Sequence, residues 1–301
     1  MDMDNKIFYN QASASKLGWD LSWFCAEDFD ELLINNIKAF QEEHGLAADG
    51  LCGPLTYRRV RTAREAAFEM DDGVTEGAAI IANGEPVPIE WDKVVNINSE
   101  NGLVLPSSCY RSVTKKNRKP TMIVTHWDVC LSALSCYKVL KKKNISSHFA
   151  IDNDGTIYQL VDTQNIGWHA GNRRVNNASI GIDFSNAYYP KYQSFYRKRG
   201  FGDRPLLENS AVHGRTLDPH LGYYPVQIEA YKALLKCLSS HYDINLDCPL
   251  NEGGELLTEV NYDAVKGKFS GVVCHYHLTR KKKDCAGLKL DKILEELRNE
   301  I

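Results

Sequence analysis

The chain has 301 residues, of which 43% are hydrophobic and 25% charged, and its formal net charge is −3. These values are ordinary for a soluble globular protein, and the lack of a basic excess argues against nucleic-acid binding. No run approaches the ~20 apolar residues that span a bilayer, so we expect no membrane insertion. The nine cysteines lack a framework spacing, and most are expected to be buried apolar residues of a reducing compartment.

The first 70 residues predict a small all-α domain. Residues 1–6 are acidic and lead into no apolar run, so we expect no signal peptide. Leu33, Ile37 and Phe40 recur at steps of four and three, which places them on one helical face. Gly45 suits the end of that helix, and Pro54 suits the first turn of the next one. The core of this domain is expected to include Leu17, Trp19, Trp23 and Phe24.

Residues 71–119 are predicted to be a linker and an irregular lead-in to a second domain. They contain Gly, Pro, Asn and Lys with only short apolar pieces. Such a composition is typical of turns and loops.

Residues 120–301 predict an α/β domain with a mixed central sheet flanked by helices. A short apolar run at 122–124 indicates a buried strand, and Asp152-Asn153-Asp154-Gly155 between two apolar runs predicts a hairpin. Further strands are expected at 179–184 and 272–274. Amphipathic patterns predict a helix over 225–242 and another at the C-terminus.

Three residues of this domain suggest a metal site. His126 and His275 each follow an apolar strand, so parallel neighbouring strands would bring both imidazoles to one sheet edge. Cys285 comes ten residues after His275, in a loop that Gly287 allows to turn back. Two imidazoles and a thiolate suit Zn²⁺ with a fourth position open to water. A single such His or Cys is more often structural, so spacing alone leaves both interpretations open.

Four ordered motifs resemble those of the type 2 N-acetylmuramoyl-L-alanine amidases, which include phage-lysozyme-type amidases and peptidoglycan recognition proteins. Three of them are residues 147–159, Trp168-His169-Ala170-Gly171, and Ser179-Ile180-Gly181-Ile182-Asp183. The closing family motif is a strand, a His, then a Lys two residues before an Asp or Cys ligand and a Gly two residues after it. The residues that match it are Val272-Val273-Cys274-His275, Lys283, Cys285 and Gly287.

The resemblance implies a role for each of these residues. His126, His275 and Cys285 become the zinc ligands, and Lys283 becomes the lysine that stabilises the oxyanion. Lys283 alone would otherwise be a solvated member of the basic run 280–283. Asp183 stands where many members carry a Glu general base, although its side chain is one methylene shorter. Where phage-lysozyme-type members use a tyrosine as base, immediately before His148, this chain has Ser147.

Other positions leave two interpretations open. Trp168 and His169 are predicted to line the substrate groove, with packing under the sheet edge as the alternative. His277 lies eight residues before Cys285, a spacing also found in the family, but we prefer His275 because it directly follows the strand. Residues 188–205 look like an insertion, either a substrate-facing loop or a solvated surface loop.

The N-terminal domain resembles the type 1 peptidoglycan-binding domain. The matching residues are Ile37-Lys38-Ala39-Phe40-Gln41, Gly45-Leu46, Asp49-Gly50-Leu51, Gly53-Pro54 and Thr56-Tyr57. A generic helical appendage is the alternative. Coupling of this module to an amidase favours wall binding, because tethering raises the effective concentration of the enzyme at its substrate.

Together these resemblances predict a monomeric, zinc-dependent amidase that cuts the bond between N-acetylmuramic acid and L-alanine in bacterial peptidoglycan. The missing signal peptide and the wall-binding module favour a phage endolysin, held in the host cytoplasm until a second protein opens the membrane. One alternative is a non-catalytic recognition protein, which occurs in the family when the third ligand is lost. Another is a regulatory protein that binds a polymerase, which the wall-binding module disfavours.

Overall fold

The computed structural model describes residues 2–60, 78–114 and 118–300. The chain divides into two compact units, Met1–Gly73 and Val74–Ile301. Among the described residues, no helix is long and apolar enough to cross a membrane.

The first unit is helical. Its helices are α1 (Met3–Leu17), α2 (Glu31–Glu43) and α3, which is described over 54–60. The side chains of Asp2 and Asp30 cap α1 and α2 by accepting hydrogen bonds from first-turn amides. The buried core contains Trp19, Phe24, Ala26, Leu33, Ile37, Cys52 and Val60. The predicted helical region before the α/β fold is therefore confirmed.

The second unit contains the remaining strands and helices. In chain order its strands are β1 (Ala79–Ala82), β2 (Glu85–Pro88), β3 (Val94–Val95), β4 (Tyr110–Arg111), β5 (Met122–Trp127), β6 (Phe149–Ile151), β7 (Ile157–Gln159), β8 (Ile166–Gly167), β9 (Ser179–Phe184), β10 (Leu206–Leu207), β11 (Ala211–Val212), β12 (Arg215–Thr216), β13 (His220–Leu221) and β14 (Gly271–Cys274). Its helices are α4 (Ala133–Lys143), α5 (Arg173–Ala178), α6 (Gln193–Lys198), α7 (Pro225–Tyr242), α8 (Tyr262–Val265) and α9 (Leu290–Asn299).

A six-stranded mixed sheet in the order β14-β5-β9-β6-β7-β3 forms the centre of this unit. Strands β14, β5, β9 and β6 run parallel, and β7 returns antiparallel to β6 through the predicted hairpin. Residues that alternate along β5 face opposite layers: Ile123 packs with α7 and α9, whereas Met122 and Val124 pack with Val175 of α5. The predicted mixed α/β fold is confirmed.

The predicted linker and lead-in at 71–119 differs from the structure. Residues 71–77 lie outside the described residues, but from residue 78 onwards the chain is folded onto the second unit. Ile80, Ile89 and Val94 are buried in the core that α7 covers. The Gln159 side chain bonds both the amide and the carbonyl of Ile81, at 2.7 and 2.6 Å. These strands are too short to show a periodic pattern in the sequence. Their stability comes from partners that are distant in sequence, so local sequence does not predict them.

The insertion at 188–205 is anchored to the sheet by Arg204. This side chain is 2% exposed, and its guanidinium lies against the rings of Tyr196 and Tyr224, 4.6 and 4.5 Å from their centroids. Its guanidinium donates to the carbonyls of Gly222 and Ser185 at 2.7 and 2.6 Å, and to the side chains of Asn153 and Gln227. Sequence analysis left a solvated surface loop as one alternative for this insertion. The part around Arg204 is buried and is not such a loop.

Replacing Arg204 should therefore destabilise the second unit. Arg204→Met removes four buried hydrogen bonds and leaves the side-chain oxygen of Asn153 without its arginine donor. We expect it to lower the free energy of unfolding by about 2–4 kcal/mol. The matched control is Arg197→Met, because Arg197 pairs with Asp203 at a site where both side chains are 61% exposed. That pair should contribute less than about 1 kcal/mol. Urea denaturation measures both variants, and equal losses would contradict the anchoring role.

Candidate metal centre and active-site cleft

Two neighbouring strands bring His126 and His275 together. His126 lies near the carboxyl end of β5, and His275 directly follows β14, which pairs parallel with β5. Their Nδ1 atoms are 3.0 Å apart, and the residues are only 4% and 5% exposed. The two imidazoles therefore lie together at one edge of the sheet, as the sequence predicts.

Asp284 completes the cluster. Its Oδ2 lies 3.2 Å from Nδ1 of His126 and 3.0 Å from Nδ1 of His275, and the three donor atoms lie within 4.8 Å of one another. Burial alone would raise the pKa of this carboxyl group, but hydrogen bonds from the two histidines hold it well below its usual range. Two imidazole nitrogens and a carboxylate oxygen form a donor set that zinc accepts.

Cys285, the residue expected to be the third ligand, is not part of this cluster. Its side chain is fully buried in the core under α7 and packs with Cys274 and Tyr223. Asp284 and Cys285 are adjacent, and their side chains project to different sides of the chain. The carboxylate faces the histidines, so Asp284 replaces Cys285 in the ligand assignment.

The lysine assignment changes with the ligand. Lys283 donates to the hydroxyl group of Tyr188 at 2.8 Å and lies 4.0 Å from the centroid of that ring. Lys282 instead lines the cleft that contains the three donor atoms. Lys282 is also the residue two positions before Asp284, which is the family spacing between lysine and ligand. Lys283 is therefore replaced by Lys282 as the candidate oxyanion-stabilising residue.

His169 lies behind a ligand and fixes its tautomer, rather than acting only as groove lining. The hydroxyl of Ser179 donates to the carbonyl of Val175 at 2.7 Å, so its oxygen accepts from Nε2–H of His169, 3.3 Å away. Burial holds the pKa of His169 well below its usual value, so its Nδ1 is free to accept from Nε2–H of His126 at 3.1 Å. When a metal ion takes the place of the Nδ1 proton that faces Asp284, the ring can keep its Nε2–H on His169 and offer the Nδ1 lone pair. Such outer partners commonly orient histidine ligands.

The glycine of the Ser179–Asp183 motif makes room for this arrangement. A Cβ atom at Gly181 would lie 2.7 Å from Cγ of the His169 ring. Any other residue would displace that ring from His126.

His277 has a structural environment. Its Nδ1 accepts from the amide of Cys274 at 2.9 Å, and its Nε2 lies 2.6 Å from the carbonyl of Leu257. Both ring nitrogens are therefore used away from His126. Burial lowers the pKa of His277 to about 4, which keeps the ring neutral. Of the two rival histidines, the structure brings His275 to the cluster.

Asp183 lies beside the cluster, because it pairs with His126 in the β5–β9 register. Its carboxyl group is buried and lines the same cleft. Burial raises its pKa to about 6, and a hydrogen bond from Ser147 opposes that rise. Ser147, where some family members have a tyrosine, thus contacts the carboxylate.

The cleft itself measures about 150 Å³ and combines buried acids with exposed apolar and cationic groups. Trp168, predicted to line the substrate groove, is 39% exposed at its edge. The complete lining consists of His126, Trp127, Asp128, Cys130, Cys136, Val139, Leu140, Lys143, Ile145, Ser146, Ser147, Trp168, His169, Asp183, His275, Lys282 and Asp284.

Asp128 is a cleft residue that sequence reasoning missed. The residue is half-buried, and burial of its carboxyl group together with the nearby Asp183 raises its pKa to about 7. The amides of Cys130 and Asn186 donate to it at 2.7 and 3.1 Å, and the Ser185 hydroxyl donates at 3.2 Å. Asp128 therefore ties the loop after β5 to the loop after β9. Its position two residues after His126 was the available signal.

Three solved structures illustrate what this chain is similar to. AmpDh3 from Pseudomonas aeruginosa is 20% identical, with a TM-score of 0.39 over 65% of this chain and 66% of that one. The endolysin LysCS from Clostridium intestinale is 19% identical, with a TM-score of 0.38 over 68% of this chain and 95% of that one. AmiA from Staphylococcus aureus is 11% identical, with a TM-score of 0.40 over 78% and 89%. At these values the likenesses carry no functional argument.

Comparison with curated proteins found no match. The family model described as N-acetylmuramoyl-L-alanine amidase matches residues 116–287. This range is more than half of the chain and contains all three clustered donors, Asp183 and Lys282. The chain belongs to the N-acetylmuramoyl-L-alanine amidase family.

Proposed function

We propose that this protein is a zinc-dependent hydrolase of the amide between N-acetylmuramic acid and L-alanine in peptidoglycan. The reaction adds water across that amide, and it yields the lactyl carboxylate and a free L-alanine amine. The observation that carries the proposal is the His126, His275 and Asp284 cluster, which opens into a cleft within the family-matched segment.

Zinc would be held by Nδ1 of His126, Nδ1 of His275 and Oδ2 of Asp284. The fit rests on the convergence of these atoms within 4.8 Å and on the relay through His169, which leaves the His126 Nδ1 lone pair available. Bound zinc would supply Lewis acidity and an activated water. A third ligand is present, which favours an enzyme over the non-catalytic recognition protein.

Two cleft residues would carry the proton and charge changes. Asp183 would accept the proton of the attacking water, and a pKa of about 6 suits a general base near neutral pH. The Lys282 ammonium would stabilise the negative charge that develops on the amide oxygen. Asp128 would position the loop after His126 without touching the reacting atoms.

We further propose that the first unit binds the bacterial wall and that the protein is a phage endolysin. The support is the compact helical unit with the residues that resemble the type 1 peptidoglycan-binding domain. An endolysin of this kind is expected to act as a monomer and to remain in the host cytoplasm until the membrane is opened.

The ligand assignment predicts opposite behaviour for two adjacent residues. Asp284→Ala removes a donor atom, so the purified variant should lose the roughly one zinc ion per chain expected of the wild type. Cys285→Ala removes only a buried sulfur, and it should retain zinc. Elemental analysis of both proteins, with circular dichroism to verify folding, makes the comparison. Zinc loss confined to the Cys285 variant would return the assignment to that residue.

The lysine assignment gives a second matched pair. Lys282→Met should keep zinc and lose about 10²–10³ in kcat, the usual effect of removing one oxyanion stabiliser. Lys283→Met should stay within a few-fold of the wild type, because Lys283 contacts Tyr188. Mass spectrometry of digested peptidoglycan, following the free L-alanine amine, measures both and tests the proposed bond. The reverse order of effects would exchange the two roles.

The proton-acceptor role of Asp183 can be tested separately. Asp183→Asn should retain zinc while losing about 10²–10⁴ in turnover. Asp183→Glu should retain substantial activity, because it restores the commoner family residue. If Asp183→Asn turned over at the wild-type rate with zinc bound, another group would be the base.

The wall-binding proposal requires only a sedimentation assay. The full chain should pellet with purified bacterial walls, and a chain that starts at residue 74 should pellet less while still cleaving small muropeptides, because the clustered donors all lie in the second unit. Equal pelleting of the two proteins would remove the wall-binding role.

A further inference from the structure

The active-site cleft has a buried part and an exposed part with different chemistry. The buried part holds the three donor atoms together with Asp183, and the half-buried Asp128 lies beside them. The exposed part includes Val139 and Lys143 of α4, Trp168, and Lys282, to which the oxyanion role is already assigned. Val139 and Trp168 are each 39% exposed although they are apolar. The exposed part therefore combines apolar surface with cations.

The backbone that carries Lys143 is held in place. Lys143 is the last residue of α4, and Asn144 ends that helix in the left-handed conformation, with φ 51° and ψ 47°. The Asn144 side-chain oxygen accepts from the hydroxyl of Ser108 at 3.2 Å. Ser146, two residues further on, accepts from the amide of Trp168 at 3.1 Å. The hydrogen bond from Trp168 to Ser146 thus connects the segment that follows Lys143 to the segment that carries Trp168.

Lys143 has no carboxylate partner within residues 2–60, 78–114 and 118–300. The cleft carboxylates are engaged elsewhere: Asp284 with the two histidines, Asp128 with backbone amides, and Asp183 with Ser147. Asp183 and Asp284 are buried and Asp128 is half-buried, whereas Lys143 is exposed. Its ammonium is available to a ligand that enters the cleft.

We propose that Lys143 forms a subsite for the free carboxylate of the second residue of the stem peptide. The inference rests on the proposed amidase function, which puts the scissile amide at the buried end of the cleft. The muramic acid side of that amide carries no carboxylate. The second stem residue, D-isoglutamate, carries one, and in amidated walls it becomes the neutral carboxamide of D-isoglutamine. An ammonium group attracts the carboxylate more strongly than the carboxamide.

The experiment compares two synthetic substrates with the zinc-loaded full chain. The substrates are the γ-methylamides of MurNAc-L-Ala-D-isoglutamate and of its α-carboxamide, in which the γ-carboxyl is capped as it is in the stem peptide. They differ only in the α-carboxylate, and the ratio of their kcat/KM values measures the preference. We expect the wild type to prefer the acid about three- to tenfold, the size of a partly exposed charge pair. Lys143→Gln should abolish the preference mainly through KM, and Lys143→Arg should restore it.

The control is Lys142→Gln, which removes an exposed lysine of the same helix that does not line the cleft. This variant should keep the wild-type preference. A wild type without preference, or an unchanged preference in Lys143→Gln, would overturn the subsite while leaving the amidase intact. Release of no L-alanine amine from either substrate by the wild type would instead contradict the proposed function. Equal zinc content across the variants excludes a metal effect.

Discussion

The candidate centre depends on the parallel pairing of β14, β5 and β9. This register places His275 beside the end of β5 and aligns His126 with Asp183 on the neighbouring strand. Parallel strands are held by slanted backbone hydrogen bonds at a fixed spacing, so the side chains at their ends have little freedom to separate. The meeting of the two Nδ1 atoms at 3.0 Å follows from this pairing.

The proton positions on the histidines of the centre depend on hydrogen bonds to residues that lie behind them. The chain of hydrogen bonds from Val175 through Ser179 and His169 to His126 has a single direction, because a backbone carbonyl only accepts. Each proton position is then fixed by the one before it. A motif residue expected to face substrate thus also determines which nitrogen of a ligand is available. The same side chain can do both, since His169 also lines the cleft.

Sequence reasoning reached the fold and most of the site, and its failures have local causes. The strand-then-histidine pattern located His126 and His275, because burial of β5 and β14 makes their apolar runs conspicuous. The short strands β1 to β3 were missed, since their stability comes from Gln159 and α7, which are far away in sequence. Arg204 was missed for the same reason. A buried arginine whose acceptors come from other segments leaves no periodic signal.

The error at the third ligand has a different origin. The family motif permits Asp or Cys, and Asp284 and Cys285 supply both types at adjacent positions, with Lys282 and Lys283 before them. The spacing between lysine and ligand therefore fits two registers, whereas the motif glycine two residues after the ligand is matched by Gly287 only in the Cys285 register. The choice of Cys285 also fixed the choice of Lys283. Packing separates the registers: the core under α7 encloses the Cys285 side chain, and Tyr188 engages Lys283. Asp284 and Lys282 are then the two side chains left to face the cleft. A one-residue shift thus changes both the metal donor and the candidate catalytic cation, and the side on which each side chain packs overrides the register that the glycine favours.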